Sequence, residues 1–424
     1  MSFSQALSGL NAAKSNLGVL GNNISNSQTV GFKGASSQFA DVFANSSVGL
    51  GTKVASVVQD FTGGNLDSTN RNLDLAISGE GFFRFEQEGE VTYSRNGQLS
   101  LTPDGFLQNA TGARIMGYGL NAAGDVQTGG QPQVLNVPAE EMPASATTNV
   151  ATTVNLDARE AMDGTGISTA TLDIGADEAD GTTDINYHFS NNFTVYDSLG
   201  NPRNTTVYYE KTAANTWTAK LAMDGQVLVD GADDPEEFTL EFDANGLLRP
   251  GEGSVNADGV IEDINFTSVD FLDNEANDLI FDVNLAGSTQ FGNTSTTSSL
   301  TQNGFTSGTL VGITIEDDGT IVRNYTNEQS RPAGQVAMAF FRNAEGLVSV
   351  GDNAWRASNS SGQELLGAPG TGQLGTITSG AVETSNVDMA KQLVDMIVSQ
   401  RAYQANSQTI KTQDELLQTA INLR

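Results

Sequence analysis

The stretch FSQALSGLNAAKSNLGVLGNNI, residues 3–24, sets Phe3, Ala6, Leu10, Ala13, Leu17, Leu20 and Ile24 in alternating steps of three and four. That spacing predicts an amphipathic helix with the seven-residue apolar repeat of a coiled-coil seam. A second such helix is predicted over 385–421. There Met396, Tyr403, Ile410 and Leu417 recur every seven residues, and Leu393 and Ile421 fall on the neighbouring row. Ser2 with Gln5, and Ser385 with Asp388, have capping-box form. No Gly or Pro interrupts 381–424, a stretch that could extend about 66 Å at 1.5 Å per residue. The front helix carries Gly9, Gly18 and Gly21, each costing about 1 kcal/mol against Ala. Two marginal helices with free apolar stripes are expected to gain order by packing in a polymer. Packing of the pair on the chain's own β domain is the alternative.

Between the ends the sequence is β-patterned. Gly is abundant at 46 residues and Pro scarce at 9, which suits many tight turns. Leu73, Leu75 and Ile77 alternate, as do Phe83 and Phe85, and turn signals follow at Asn96-Gly97, Asp104-Gly105, Asn109 to Gly112 and Gly124-Asp125. A second block alternates at Phe193 and Val195, Val207 and Tyr209, Trp217 to Met223, Phe238 to Phe242 and Leu279 to Leu285. Asp-Gly and Asn-Gly between alternating runs mark hairpins. The expected fold is mainly β with a terminal α-helical coiled coil. It holds two antiparallel β-barrel or sandwich domains nested between paired N- and C-terminal helices. The boundaries read as 1–30 with 381–424 for the coiled coil, 31–70 with 357–380 for connectors, 71–145 with 286–356 for an outer β domain, and 146–285 for an inserted one. No internal repeat is evident.

The net charge is −31, and its distribution is uneven. Residues 1–70 are balanced, with three acids and three bases, and 381–424 carry −1; the middle holds 43 acids against 13 basic residues. Near-neutral ends can pack on copies of themselves, while the middle is a solvated, repelling surface. That balance disfavours nucleic acid and anionic membranes as partners. No window approaches the roughly 18 apolar residues of a membrane span, and no secretory signal pattern opens the chain.

Catalytic and metal-binding patterns are missing. Cysteine is absent, which removes disulfides, thiolate metal sites and a cysteine nucleophile. The one histidine, His188, reads as an exposed surface residue. Acidic turns such as Glu316-Asp317-Asp318-Gly319 and Asp270–Asp278 lack calcium-loop spacing. No cofactor, metal or catalytic residue is expected.

The two ends together resemble the rod and hook axial proteins of the bacterial flagellum. The N-terminal signature stands as Gly21-Asn22-Asn23-Ile24-Ser25-Asn26-Ser27-Gln28-Thr29-Val30-Gly31-Phe32-Lys33. The C-terminal one stands as Ser385-Asn386-Val387-Asp388, Val398-Ser399-Gln400-Arg401-Ala402-Tyr403-Gln404-Ala405-Asn406 and Ile421-Asn422-Leu423-Arg424. Asp74 to Phe83 and Tyr93 to Gly97 look like the outer β domain of that family. Phe193 to Asn201, Asp317 to Val322 and Asn324 to Gln329 are similar to its hook branch. Region 139–185 departs most from the pattern.

The resemblance implies a flexible tubular polymer outside the cell that transmits motor torque from rod to filament as a universal joint. Terminal helices would form the inner tube around an export channel. Implied partners are other copies of the chain, a distal rod protein, a hook cap, a hook–filament junction protein and a length-control protein. Export by the flagellar type III pathway, without a cleaved signal peptide, is likewise implied. Assembly residues are expected at Phe3, Leu10, Leu17, Leu20 and Ile24 on the front seam. Others are Asn22, Asn23, Asn26, Thr29, Gly31 and Phe32 in the signature, and Leu393, Met396, Arg401, Tyr403, Ile410, Leu417 and Ile421 on the back helix. Asn suits helix ends, Gly31 would allow a sharp turn, Phe32 would anchor it, and Arg401 would reach a neighbour. A secreted adhesin with incidental helices is the rival reading; it predicts a stable monomer.

Overall fold

The computed structural model describes residues 3–42, 49–162, 166–174, 181–229, 234–267 and 276–422. Ser2, Asp270 through to residue 275 of the second acidic turn, parts of region 139–185, Leu423 and Arg424 lie outside them. As expected, the chain is mainly β between two helices, α1 (Phe3–Ser25) and α2 (Met389–Asn422). No described helix is long and apolar enough to cross a membrane. Helix α2 starts at Met389, later than the predicted 385; ahead of it Ala381–Glu383 pairs as a strand with Leu66–Ser68. Its cap is Asp388, not Ser385: Asp388 Oδ1 accepts the backbone N–H groups of Ala390 and Lys391 at 2.9 and 3.1 Å. The first turn of a helix leaves such donors free. At 34 residues α2 is about 51 Å long.

The chain divides into two compact units, one of Met1–Ala139, Val311–Asn324 and Ser330–Arg424, the other of Glu140–Leu310 and Tyr325–Gln329. In the first, Phe82–Gln87 pairs with Glu90–Ser94, Arg114–Tyr118 and Met338–Phe340. This strand is buried on both faces, so alternation sends side chains to two cores. Phe83 and Phe85 join Leu75, Ile115, Ile321 and Val336 in one. Phe82 joins Tyr93, Phe341 and Trp355 in the other. The two halves of the sequence also meet in the pairing of Asp74–Ser78 with Thr376–Ser379.

The second unit holds two sheets over a core of Val154, Phe193, Tyr209, Trp217, Phe266 and Phe281. Its central strand Asn149–Asp157 is antiparallel to Thr296–Gln302 but parallel to Leu279–Asn284 and Thr289–Phe291. The sheet is therefore mixed, where an antiparallel one was expected; side-chain alternation is the same in either direction and does not report it. His188 is half-buried, contrary to its reading as a surface residue. Its Nδ1 accepts the Lys211 N–H at 3.1 Å and its Nε2 lies 3.1 Å from the Ala161 carbonyl. The ring sits edge-on to Trp217.

A repeat does exist, at the scale of turns. The same five-residue hairpin recurs at 102–106, 109–113, 121–125, 197–201, 243–247, 256–260 and 316–320. In each, the first residue's N–H donates to the fifth residue's carbonyl, and the fourth residue is a Gly whose N–H returns to the first. That Gly has φ between 80° and 90°, where other residues are strained. Except in the last of these turns, the first residue is Asp, Asn or Thr, and its side chain accepts the fifth residue's N–H. At Asp243 this hydrogen bond from Leu247, with others from Asn245 and Gly246, holds the carboxyl below its ordinary 3.8.

The stabilisation by Asp243 is therefore present above that ordinary value and is lost as pH falls through the lowered one. Asp243→Asn is expected to keep the turn, as Asn109, Asn121 and Asn256 do, and to remove the acid sensitivity. Asp243→Ala is expected to lower the melting temperature by about 2–4 °C. Thermal scans between pH 7 and 3 check both; equal melting of all three proteins at pH 7 would show that the side chain is idle.

Candidate assembly interface: the helix pair and its ionic node

The axial signature is a run of local caps that leads the chain out of α1. Asn26 donates to the Asn22 carbonyl and side chain, both at 3.0 Å, and Thr29 donates to Asn26 Oδ1 at 3.2 Å. Asn23 is buried within the helix rather than ending it. Its amide donates to the Ala35 carbonyl at 2.7 Å and to Gln392 at 3.0 Å, and its oxygen accepts the Ala35 N–H. One side chain thus ties α1 to the strand Ala35–Asp41 and to α2.

Gly31 makes the sharp turn, with φ 69° and its N–H on the Glu383 carbonyl at 2.8 Å. A Cβ there would lie 2.7 Å from the Asn96 nitrogen, so both conformation and space require Gly. Phe32 is buried beside it, worth roughly 1.5–3 kcal/mol.

Lys33 and Glu383 form a fully buried ion pair at 2.7 Å. Lys33 Nζ also donates to the Thr62 carbonyl at 2.7 Å. Arg95 reaches the other Glu383 oxygen at 3.4 Å and the Gly79 carbonyl at 3.0 Å, with its guanidinium over the Phe82 ring. The Gly64 N–H adds a further bond to Glu383 Oε1 at 2.8 Å. Burial pulls both Lys33 and Arg95 below their ordinary values, and Glu383 opposes this in each. The node gathers the end of the signature, the segment 62–64, Gly79 and Arg95 beside the paired strands Phe82–Gln87 and Glu90–Ser94, and the strand before α2. Nearby, Asn386 accepts the Gly34 N–H and donates to the Asp60 carbonyl.

The sequence reading missed the node. Lys33 stands in the quoted signature without a role of its own, and nothing near Glu383 or Arg95 marks them as partners.

Helices α1 and α2 run against each other in antiparallel register. Asn23 meets Gln392, Asn16 meets Ser399 at 3.4 Å, and Gly9 admits the side chain of Asn406. Ala6, Ala13 and Leu20 are buried on α1 and Ser399 on α2. One row of the expected α1 seam, Ala6, Ala13 and Leu20, thus lies in this contact, and the other apolar rows sit beside it. Leu10, Leu17, Ile24, Met396 and Ile410 are half-buried. Phe3 is 51% exposed, and Leu393, Tyr403, Leu417 and Ile421 are 45%, 36%, 57% and 71% exposed. Val394, Ile397 and Val398 extend the exposed apolar surface of α2. Arg401 is exposed, with no partner among the described residues. The helix α1 also touches the hairpin beside it: Ser8 Oγ accepts the Thr52 N–H, and Gln5 donates to the Gly49 carbonyl.

Comparison with known proteins supplies the context for this geometry. The flagellar hook protein FlgE of Escherichia coli (strain K12) is 44% identical over 434 residues, covering the whole of both chains. This chain belongs to the flagellar hook protein family. The hook protein of Salmonella typhimurium is 43% identical over full length, and that of Borreliella burgdorferi 32% over 457 residues. Four family models match parts of the chain. The flagella basal body rod protein model matches 4–33 and the hook protein FlgE/F/G D1 domain model 76–157. The FlaE D2 domain model matches 155–305 and the rod FlgEFG C-terminal model 378–423. The node's ion pair therefore joins the two matched ends. A crystal structure of a Helicobacter pylori hook protein, FlgE2, shares the fold over 75% of this chain and all of its own, with a TM-score of 0.51 at 13% identity.

Proposed function

We propose that this chain is the structural subunit of a bacterial flagellar hook and polymerises through its terminal helices. The observation that carries the reading is the apolar surface left on α2, from Leu393 and Val394 to Leu417 and Ile421. Exposed apolar groups of this kind, Leu393 to Val398 near its start and Leu416 to Ile421 near its end, mark an interaction site. Copies of α1 and α2 from neighbouring subunits would cover it and build the inner tube around an export channel. The four sequence divisions take their places as inner tube, connector, outer β domain and inserted β domain. Torque then passes from rod to filament through a polymer that bends.

On this reading the distal rod protein, hook cap, hook–filament junction protein and length-control protein are its partners. The chain reaches the cell exterior by the flagellar type III route and does no enzymatic chemistry. It takes no nucleic acid and inserts in no membrane.

The test compares intact protein with residues 31–388 by electron microscopy under polymerising salt. The shorter chain must retain Glu383, since Lys33 and Arg95 would otherwise be buried without their counter-ion. Tubes from the intact chain and folded monomers from the fragment are expected. Monomers from both would favour the adhesin.

The acid-rich middle adds an expectation for mechanics. Contacts between acidic domains are weak, easily remade and screened by salt. Curvature or stiffness of the polymer is expected to change as the screening length shrinks from about 8 Å at 0.15 M to 3 Å at 1 M. Unchanged micrographs across that range would count against sliding acidic contacts.

A further inference from the structure

We propose that the polar residues between α1 and α2 set the roll of α2 about its own axis, and so decide which face the chain keeps for itself. The inference deepens the assembly reading and rests on it. Three layers repeat every seven residues on both helices: Asn23 with Gln392, Asn16 with Ser399 and Gly9 with Asn406. Ser399 is buried and also donates to the Ala13 carbonyl at 3.4 Å. Around them α1 contributes mainly small side chains, Ala6, Ala12 and Ala13.

On α1, Ala6, Ala13 and Leu20 lie in the contact, and Leu10, Leu17 and Ile24 stand about 100° round from the polar positions. On α2, Met396, Tyr403 and Ile410 come four residues after them, about 40–50° round the helix. If apolar burial alone governed the pair, α2 would roll by that angle and bury Met396, Tyr403 and Ile410 against the Ala6, Ala13 and Leu20 face of α1. It does not. A roll would take buried Ser399 off the Ala13 carbonyl and off Asn16, and Gln392 off buried Asn23, and polar core positions are known to fix the register of coiled coils at a cost in stability. The node at Lys33 and Glu383 holds only one end of a 34-residue helix, which leaves the roll further along to these layers. On α2 each chain thus spends the polar row on itself and keeps the apolar row for a second copy.

The absence of native cysteine makes the roll measurable on the full chain. Tyr403→Cys is labelled with a maleimide in the parent and in a variant carrying Asn16→Ala, Ser399→Ala and Asn406→Ala. Gln404→Cys, exposed in the parent, is the control. The triple variant is expected to slow labelling at 403 at least threefold, leave 404 within twofold, and form fewer tubes. Labelling at 403 that is unchanged or faster overturns the proposal. Tube formation by the parent is read separately: its failure overturns the assembly reading and leaves the labelling to decide the roll.

Discussion

Glu383→Ala is expected to destabilise the first unit by about 3–5 kcal/mol, because it leaves two cations buried without their anion. Lys33 has no exposed side-chain surface and Arg95 only 3%, so neither can turn to water without opening the node. The loss has a pH signature. Burial holds Lys33 below its ordinary 10.5, so between the lowered and ordinary values the unfolded chain binds more protons than the folded one. Stability therefore rises with pH in that window and is lost as pH falls through the lowered value. Removing Glu383 takes away the main influence opposing the shift, which widens the window. The defect of Glu383→Ala is thus expected to shrink as pH is raised from 7 toward 10. Denaturant melts of residues 31–388 at several pH values check this. A defect under 1 kcal/mol, or one independent of pH, would show that the node relaxes to admit water.

Leu17→Asp or Ile410→Asp is expected to abolish polymerisation while the β units stay folded. Both positions are half-buried in the single chain, and the assembly reading has neighbouring copies cover the remainder. A carboxylate forced into that contact costs about 4 kcal/mol or more, roughly a thousandfold in critical concentration. Sedimentation gives the polymer fraction and circular dichroism the β content. Loss of β signal in either variant would instead place these residues in support of their own β units.

Both helices, the axial signature, the mainly β interior and the two-ended resemblance were legible in the sequence, since each is a local pattern. The helix contact was legible only in part. Apolar periodicity identifies every face that must leave water, whichever molecule covers it. It therefore marked Tyr403 and Leu417, which the single chain leaves exposed. Asn16, Asn23, Ser399 and Asn406 obey the same seven-residue period but are invisible to a scan for apolar residues. Strand direction at Asn149–Asp157 was hidden because alternation is identical for parallel and antiparallel partners. The five-residue turn is half visible: its Gly is a turn signal, and Asn109 stands at the head of one such signal, but the bond from the first side chain to the fifth N–H that recurs at 102, 121, 197, 243 and 256 is not. Glu383 could not be matched to Lys33 from sequence, since 350 positions separate them.

That separation governs how the molecule carries load. Lys33 and Glu383 touch, and the Gly31 N–H bonds the Glu383 carbonyl. Tension along α1 can therefore pass into the strand that leads to α2 across a few polar contacts, without stretching the chain between them. Mechanically the β units hang in parallel with the helix pair instead of in series with it. An insertion or deletion in their loops then changes the size of the β units while that path keeps its length.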